Sequence, residues 1–319
     1  MAVEFALVAL GLVILLLAGD ILVKGAVNFS LRLGIPALIV SLTVVAFGTS
    51  APELLISVKA IWDGVPGLAL GNVVGSNTAN ILLVLGVPAV ISGLRAASDT
   101  RRTYLFMIAG SLLFIALCFA GPVTWWHGLV LLTALALVLG DAMRAARAHR
   151  DAANGAPAPG PAGDLEDADP DMPWRRIGLY LVLGLAGLPL GADLLVESSV
   201  IIARDFGVSE TVIGLTLVAI GTSLPELATA VMAALRRHAD VALGNVIGSN
   251  MFNLLAIIGI ASLVGPIPVE DDILAFDLWV MLGASLLLIP FVFNRWHMGR
   301  RVGVLFSALY VAYLLMVLN

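Results

Sequence analysis

The stretch Gly48-Thr49-Ser50-Ala51-Pro52-Glu53 recurs as Gly221-Thr222-Ser223-Leu224-Pro225-Glu226, with five of six positions identical. Both copies set a proline and a carboxylate inside an otherwise apolar run. A second stretch, Leu70-Gly71-Asn72-Val73-Val74-Gly75-Ser76-Asn77, recurs as Leu243-Gly244-Asn245-Val246-Ile247-Gly248-Ser249-Asn250 at seven of eight positions. One offset of 173 residues superposes both pairs, and the copies align without a gap from Asp20/Asp193 to Gly86/Gly259. The chain is a tandem of two related halves.

Around these motifs the chain is strongly apolar. Of its 319 residues 60% are hydrophobic and 12% charged, against roughly 25% charged in soluble domains. The mean hydropathy is +1.04. A soluble globule of this size cannot hide so much apolar surface, so lipid must be the solvent for most of the chain. Composition excludes a soluble enzyme and a disordered tail, and the single cysteine, Cys118, excludes a disulfide-stapled module. The net charge of −5, with acidic residues dispersed or in one linker, gives no nucleic-acid partner. No obligatory protein partner is evident.

Ten apolar segments can be read, at 4–24, 37–60, 66–90, 103–121, 124–143, 175–198, 210–235, 239–264, 273–293 and 302–318. Each is near the length a membrane helix needs. Runs such as Leu12 to Leu17 do not alternate as barrel strands would. The expected fold is an all-α polytopic membrane protein with ten transmembrane helices in two inverted five-helix repeats, 1–143 and 174–319. An odd number of spans per half gives the halves opposite topology, the pattern of secondary transporters. A polar linker rich in Ala, Pro, Gly and Asp, 144–173, joins them. With the N-terminus outside, only Lys59 and Arg204 of the 17 basic residues fall outside. Both termini are then external, the linker is cytoplasmic, and the protein is expected in the cell (inner) membrane. Glu4 and the lack of a basic leading segment make the first span a retained helix. Asp167, Asp169 and Asp171 have the first spacing of a calcium loop, but Pro170 intrudes, Met172 follows where Gly is required and Gly178 takes the twelfth position, so the linker reads as a solvated spacer.

The matched motifs carry the chemistry. Pro52 has no N–H, so the Gly48 carbonyl loses its helical donor, and the helix is expected to open near Gly48–Thr49. Glu53 lies one turn after Thr49 on the same face. One short segment then offers a carboxylate, the hydroxyls of Thr49 and Ser50, and backbone oxygens, the hard donors that Ca²⁺ and Na⁺ prefer. Thr222, Ser223 and Glu226 repeat the set. A carboxylate at the membrane centre costs at least about 2.5–3.5 kcal/mol, which helix packing does not return. Packing does account for the glycine pairs Gly71/Gly75 and Gly244/Gly248. Asn72, Ser76 and Asn80 form a stripe at four-residue spacing, as do Asn245, Ser249 and Asn253. Asn77 and Asn250, about 100° off that stripe, are placed to bridge helices. No His or Cys joins these oxygens, which disfavours zinc, copper or iron. His127, His149, His238 and His297 lie near predicted loops and read as interfacial or solvated. Trp125, Trp126, Trp174 and Trp296 read as interface anchors. Asp20 and Asp193 read as structural, capping a helix or lining an entrance.

These paired GTSxPE and GNxxGSNxxN motifs on two inverted halves resemble the calcium/cation antiporter superfamily, above all its prokaryotic sodium/calcium exchangers, over nearly the whole chain. The resemblance implies alternating access to a central ion site. Glu53 and Glu226 would hold Ca²⁺, with the backbone oxygens of Thr49 and Thr222. Sodium sites would use Ala46, Ser50, Ser76, Ala219, Ser223 and Ser249, and Asn80 and Asn253 would sit between the carboxylates. Some relatives, the potassium-dependent branch among them, carry Asp where this chain has Asn253. The animal exchangers' long regulatory loop domains are missing here.

The expected function is Na⁺/Ca²⁺ antiport, with Ca²⁺ and Na⁺ as substrates and no cofactor. A Ca²⁺/H⁺ antiporter is the alternative, although the GNxxE signature that branch resembles is absent after Asn72. A passive channel needs a continuous pore lining that broken, occluding helices do not suit. No nucleophile–base pair suggests an enzyme. Glu53 and Glu226 neutralise one Ca²⁺, and an added K⁺ would leave +1, so K⁺ is expected to be neither required nor carried. The resemblance further implies three Na⁺ per Ca²⁺ and hence electrogenic exchange.

Overall fold

Long apolar runs become long helices. The computed structural model describes residues 2–96, 100–154, 169, 171–207 and 219–317. In chain order the helices are α1 (Ala2–Leu33), α2 (Ala37–Thr49), α3 (Ala51–Trp62), α4 (Pro66–Ile91), α5 (Thr100–Phe119) and α6 (Trp125–Asn154). The second half has α7 (Trp174–Asp205), the single turn α8 (Ala219–Thr222), α9 (Leu224–Leu235), α10 (Ala239–Val264), α11 (Ile273–Phe293) and α12 (Arg300–Val317). Eight helices are long and apolar enough to cross a membrane, and α2 with α3 makes a ninth, bent by 42°. The expected count of ten is therefore not reached among the described residues. The missing span, 210–235, shows only α8 and the short α9, its first part lying outside the described residues.

Two expected boundaries move. α1 runs past residue 24 to Leu33, because Lys24 pairs with Asp20 at 3.3 Å one turn back and does not end the helix. α6 continues through Arg144, Arg147 and Arg150 to Asn154, an Ala- and Arg-rich stretch of good helix formers. The linker assigned to 144–173 thus begins as helix, and 155–168 with Asp167 lie outside the described residues. Asn28 Oδ1 accepts from the Asp169 N–H at 2.8 Å, and Arg32 donates to the Met172 carbonyl at 3.2 Å. These bonds dock the chain entering α7 onto the end of α1.

Burial ranks the helices. α10 is 89% buried along its apolar window and α4 72%, against 17% for α6 and α12. The two helices that carry the Asn-Ser stripes are the centre of the bundle, and α6 and α12 present residues such as Leu137 and Val311 outward to lipid. α1 lies along α7, its nearest approach set by Gly11 and Gly191, where a Cβ on either would stand 2.8 Å from the other helix's backbone. No strand forms among the described residues, but two reciprocal backbone bridges staple the loops, Leu94 with Met298 and Val123 with Ile267. Leu94 and Ile267 are 173 residues apart, so each half lends its equivalent residue to the other. His127 and His238, expected in solvent or at the interface, are buried at 3% and 2% exposure, and Thr124 N–H donates to His127 Nδ1 at 3.1 Å.

Candidate ion-binding site

The site begins at two helix breaks. Ser50 leaves helical geometry at φ −86°, ψ 6°, between α2 and α3, and Ser223 does so at φ −88°, ψ 3°, between α8 and α9. Pro52 and Pro225 follow in the first turn of the next helix, where a missing N–H costs nothing. The break falls one residue after the expected Gly48–Thr49. Glu53 and Glu226 then occupy first turns, where the positive end of the helix dipole favours a carboxylate. Both are almost fully buried, at 1% and 0% exposure. Among the described residues no Lys, Arg or His pairs with either.

Two hydroxyls, one from each half, steady one carboxylate. Ser50 Oγ donates to Glu226 Oε1 at 3.0 Å and Ser249 Oγ donates to the same oxygen at 3.4 Å. Thr49 Oγ1 lies 3.3 Å from the Ala46 carbonyl and from Asn245 Oδ1, and 3.5 Å from Ser249 Oγ. Asn245, which the sequence placed on the stripe but not in the ion site, therefore belongs to this network.

A four-amide clamp joins α4 to α10. Asn77 donates to the Asn250 carbonyl at 3.2 Å, and Asn250 donates back to the Asn77 carbonyl at 3.3 Å. Their side-chain oxygens are taken as well: Asn80 donates to Asn250 Oδ1 and Asn253 to Asn77 Oδ1, each at 3.0 Å. The bridging role expected for Asn77 and Asn250 is what the structure has. Since each bridging oxygen needs a donor, Asn80 and Asn253 must turn their NH₂ groups to the clamp and their oxygens away. Asn80 Oδ1, Asn253 Oδ1, Glu53 Oε2 and Glu226 Oε2 are buried acceptors with no hydrogen-bond partner among the described residues. Four such oxygens in matched pairs would be costly in a neutral core and suit a cation.

The remaining expected residues are distributed as follows. Ser223 is buried with its Oγ unpartnered. Ser76 and Thr222 line a cavity of about 310 Å³ together with Asn72. Ala46 packs under α10. Ala219 opens α8, and its side chain lies outside the description. Gly244 and Gly248 pack closely on α2, where a Cβ at Gly248 would be 2.5 Å from the Leu42 carbonyl. Their counterparts Gly71 and Gly75 line the cavity; positions 211, 214 and 215, equivalent in the repeat to Leu38, Ser41 and Leu42, lie outside the described residues. Asp20 pairs with Arg236 of α9 and with Lys24, whereas Asp193 lines a smaller cavity of about 140 Å³ with Pro52, Thr222 and Pro225.

With this geometry in view, the likenesses to other proteins are informative. The family profile described as "Sodium/calcium exchanger protein" matches residues 3–140 and 177–319, and the chain belongs to that family. It is 39% identical over 298 residues to the protein named "Putative antiporter CaxA" of Alkalimonas amylolytica, covering 91% of this chain and 89% of that one. It is 33% identical to the sodium/calcium exchanger MaX1 of Methanosarcina acetivorans, over 98% of this chain and 97% of that one. A solved structure of the sodium-calcium exchanger NCX_Mj superposes with a TM-score of 0.83 at 31% identity and 98% coverage of both chains. The protein is an all-helical membrane transporter of the exchanger fold.

Proposed function

We propose that the protein is a secondary active Na⁺/Ca²⁺ antiporter and that Glu53 and Glu226 hold Ca²⁺ between them. The observation that carries this reading is the set of four buried, unpartnered oxygens contributed equally by the two halves, the carboxylates from α3 and α9 after the helix breaks and the amides from α4 and α10. Two carboxylates balance one divalent ion, and the amide oxygens of Asn80 and Asn253 complete an oxygen-only shell. Thr49 and Thr222 add backbone oxygens where the helices break. Ala46, Ser50 and Ser76, with Ala219, Ser223 and Ser249, form the matched sodium sites.

In this reading ten spans form two inverted repeats, with both termini outside and the linker in the cytoplasm of the inner membrane. The exchanged loop bridges and the reciprocal amide clamp are what a twofold axis in the membrane plane produces. Alternating access is the transport mode that two such inverted repeats suit. The chain acts as a transporter rather than an enzyme, needs no cofactor and no K⁺, and moves net charge.

A proton-coupled cycle is the second reading, because the same carboxylates can bind H⁺. Protons compete with Ca²⁺ in either case, since ligation needs the ionised form. The deciding experiment is Ca²⁺ uptake into proteoliposomes under separately imposed Na⁺, K⁺ and H⁺ gradients. Uptake driven by outward Na⁺ alone supports antiport with sodium; uptake that proceeds without Na⁺ and requires an opposing pH gradient overturns it.

A further inference from the structure

One carboxylate within the spans has no part in the central site and no counterpart in the 173-residue repeat. Asp277 ends a π-helical turn, Ile273–Asp277, at the start of α11. It lies four residues into the span, about 6 Å along a helix that rises 1.5 Å per residue. A half-buried carboxylate at such depth loses hydration, a cost unless something recovers it. Tyr313 of α12 donates its hydroxyl to Asp277 Oδ1 at 2.9 Å, and no Lys, Arg or His pairs with Asp277 among the described residues. A tether between α11 and α12 alone would need an acceptor but not a charge.

The position of the charge suggests its use. Asp277 and Tyr313 form one wall of the 310 Å³ cavity whose other walls include Asn72, Ser76 and Thr222. That cavity also reaches Leu68 near the start of α4, so it runs from the helix ends to the depth of Ser76. Those eight residues of α4 correspond to about 12 Å. The same space is thus bounded by Asp277 near its rim, with Asp272 close to it and Glu270 beside Gly67 at the start of α4, and by ion-site residues at its floor. A negative charge in a low-dielectric cleft focuses field lines and concentrates cations.

We propose that Asp277, oriented by Tyr313, is an access site for cations that raises the Ca²⁺ and Na⁺ concentration at the mouth of the central site. The inference rests on the antiport reading and adds a residue outside the repeated motifs. It has a signature that a structural role lacks. Enrichment by a fixed potential depends exponentially on ionic charge, so the factor for Ca²⁺ is the square of the factor for Na⁺.

The test uses the full chain in liposomes, with ions presented to the face on which the cavity opens. Asp277→Asn keeps an oxygen that accepts from Tyr313 and removes only the charge. It is expected to raise the half-saturating Na⁺ concentration about threefold and the Ca²⁺ KM about ninefold, with kcat unchanged. Asp277→Glu restores both constants. Tyr313→Phe breaks the tether, keeps the charge, and leaves both within about twofold of wild type. Impermeant choline chloride raises the wild-type Ca²⁺ KM by screening and raises that of Asp277→Asn less, since Glu270 and Asp272 remain near the rim. An unshifted KM in Asp277→Asn, equal factors for the two ions, or reproduction of the shift by Tyr313→Phe overturns the proposal. Wild-type protein without Na⁺-driven Ca²⁺ flux overturns the antiport reading and this one with it, whereas normal wild-type flux beside an unshifted Asp277→Asn overturns this one alone.

Discussion

Among the described residues Glu53 and Glu226 are buried without a cationic side chain, compensated by the start of the helix in which each sits and its backbone N–H groups, with hydroxyls added at Glu226. A divalent ion between them removes that cost, and a single carboxylate leaves it half neutralised in a medium where charge is poorly screened. Glu53→Gln and Glu226→Gln are therefore expected to abolish Ca²⁺ transport while the protein still folds, because each substitution replaces a buried charge by a neutral isostere. Flux assays beside size-exclusion profiles check this, and near-normal flux in a folded variant would refute the site. The clamp asparagines act one step back. Asn77→Leu removes one hydrogen bond to the Asn250 carbonyl and one from Asn253, releasing the Asn253 amide to turn. Each bond is worth about 1 kcal/mol net, so the loss of positioning is expected to raise the Ca²⁺ KM about tenfold. Asn250→Leu should match it through Asn80, and titrations of the two variants measure whether the halves contribute equally.

At the scale of the helix, the glycines of α10 set how closely α2 approaches. A Cβ at Gly248 would stand 2.5 Å from the Leu42 carbonyl and 2.6 Å from the Ala46 Cβ. Gly248→Ala is expected to cost about 1–3 kcal/mol by overpacking, read as a drop in Tm; an unchanged Tm would mean that α2 moves aside without loss. Pro52 and Pro225 made the helix breaks legible, because a missing N–H acts locally. Four-residue spacing made the Asn-Ser stripes legible, and the 100° offset made Asn77 and Asn250 bridges. The π-helical turns at Asn80–Val84 and Phe252–Ile257 were not legible, since a widened turn has no composition of its own. Asp277 was visible as a charge in an apolar segment, but a search by symmetry passes over a residue that only one half carries.

For the whole molecule the ledger is one of charge. Glu53 and Glu226 contribute −2 to the core, and Asn80 and Asn253 contribute nothing. One Ca²⁺ balances that pair. A K⁺ beside it would leave +1 in a region largely sealed from water, at a cost in solvation, so K⁺ is expected to be neither required nor carried. Sodium poses the sharper question. Two Na⁺ balance the carboxylates, and a third leaves the same +1, so charge neutrality alone would give an electroneutral two-for-one exchange. The oxygen donors are more numerous than that count requires: Ser50, Ser76, Ser223 and Ser249 and the carbonyls at both breaks add places for Na⁺ beside the carboxylates, Ser50 and Ser249 being bonded to Glu226 itself. Three Na⁺ per Ca²⁺ is therefore expected, with the surplus charge spread over hydroxyl and carbonyl dipoles rather than neutralised. Each cycle then carries one net charge, and membrane voltage biases exchange by about 2.3 kcal/mol per 100 mV. Liposomes loaded with Na⁺, given Ca²⁺ outside and clamped with a K⁺-free ion gradient, measure this directly. A reversal potential that follows the three-to-one ratio, unchanged when K⁺ is added later, is the expected result. Voltage-insensitive exchange would show that the −2 core admits only two Na⁺, and strict dependence on K⁺ would show that the core tolerates the extra charge for potassium after all.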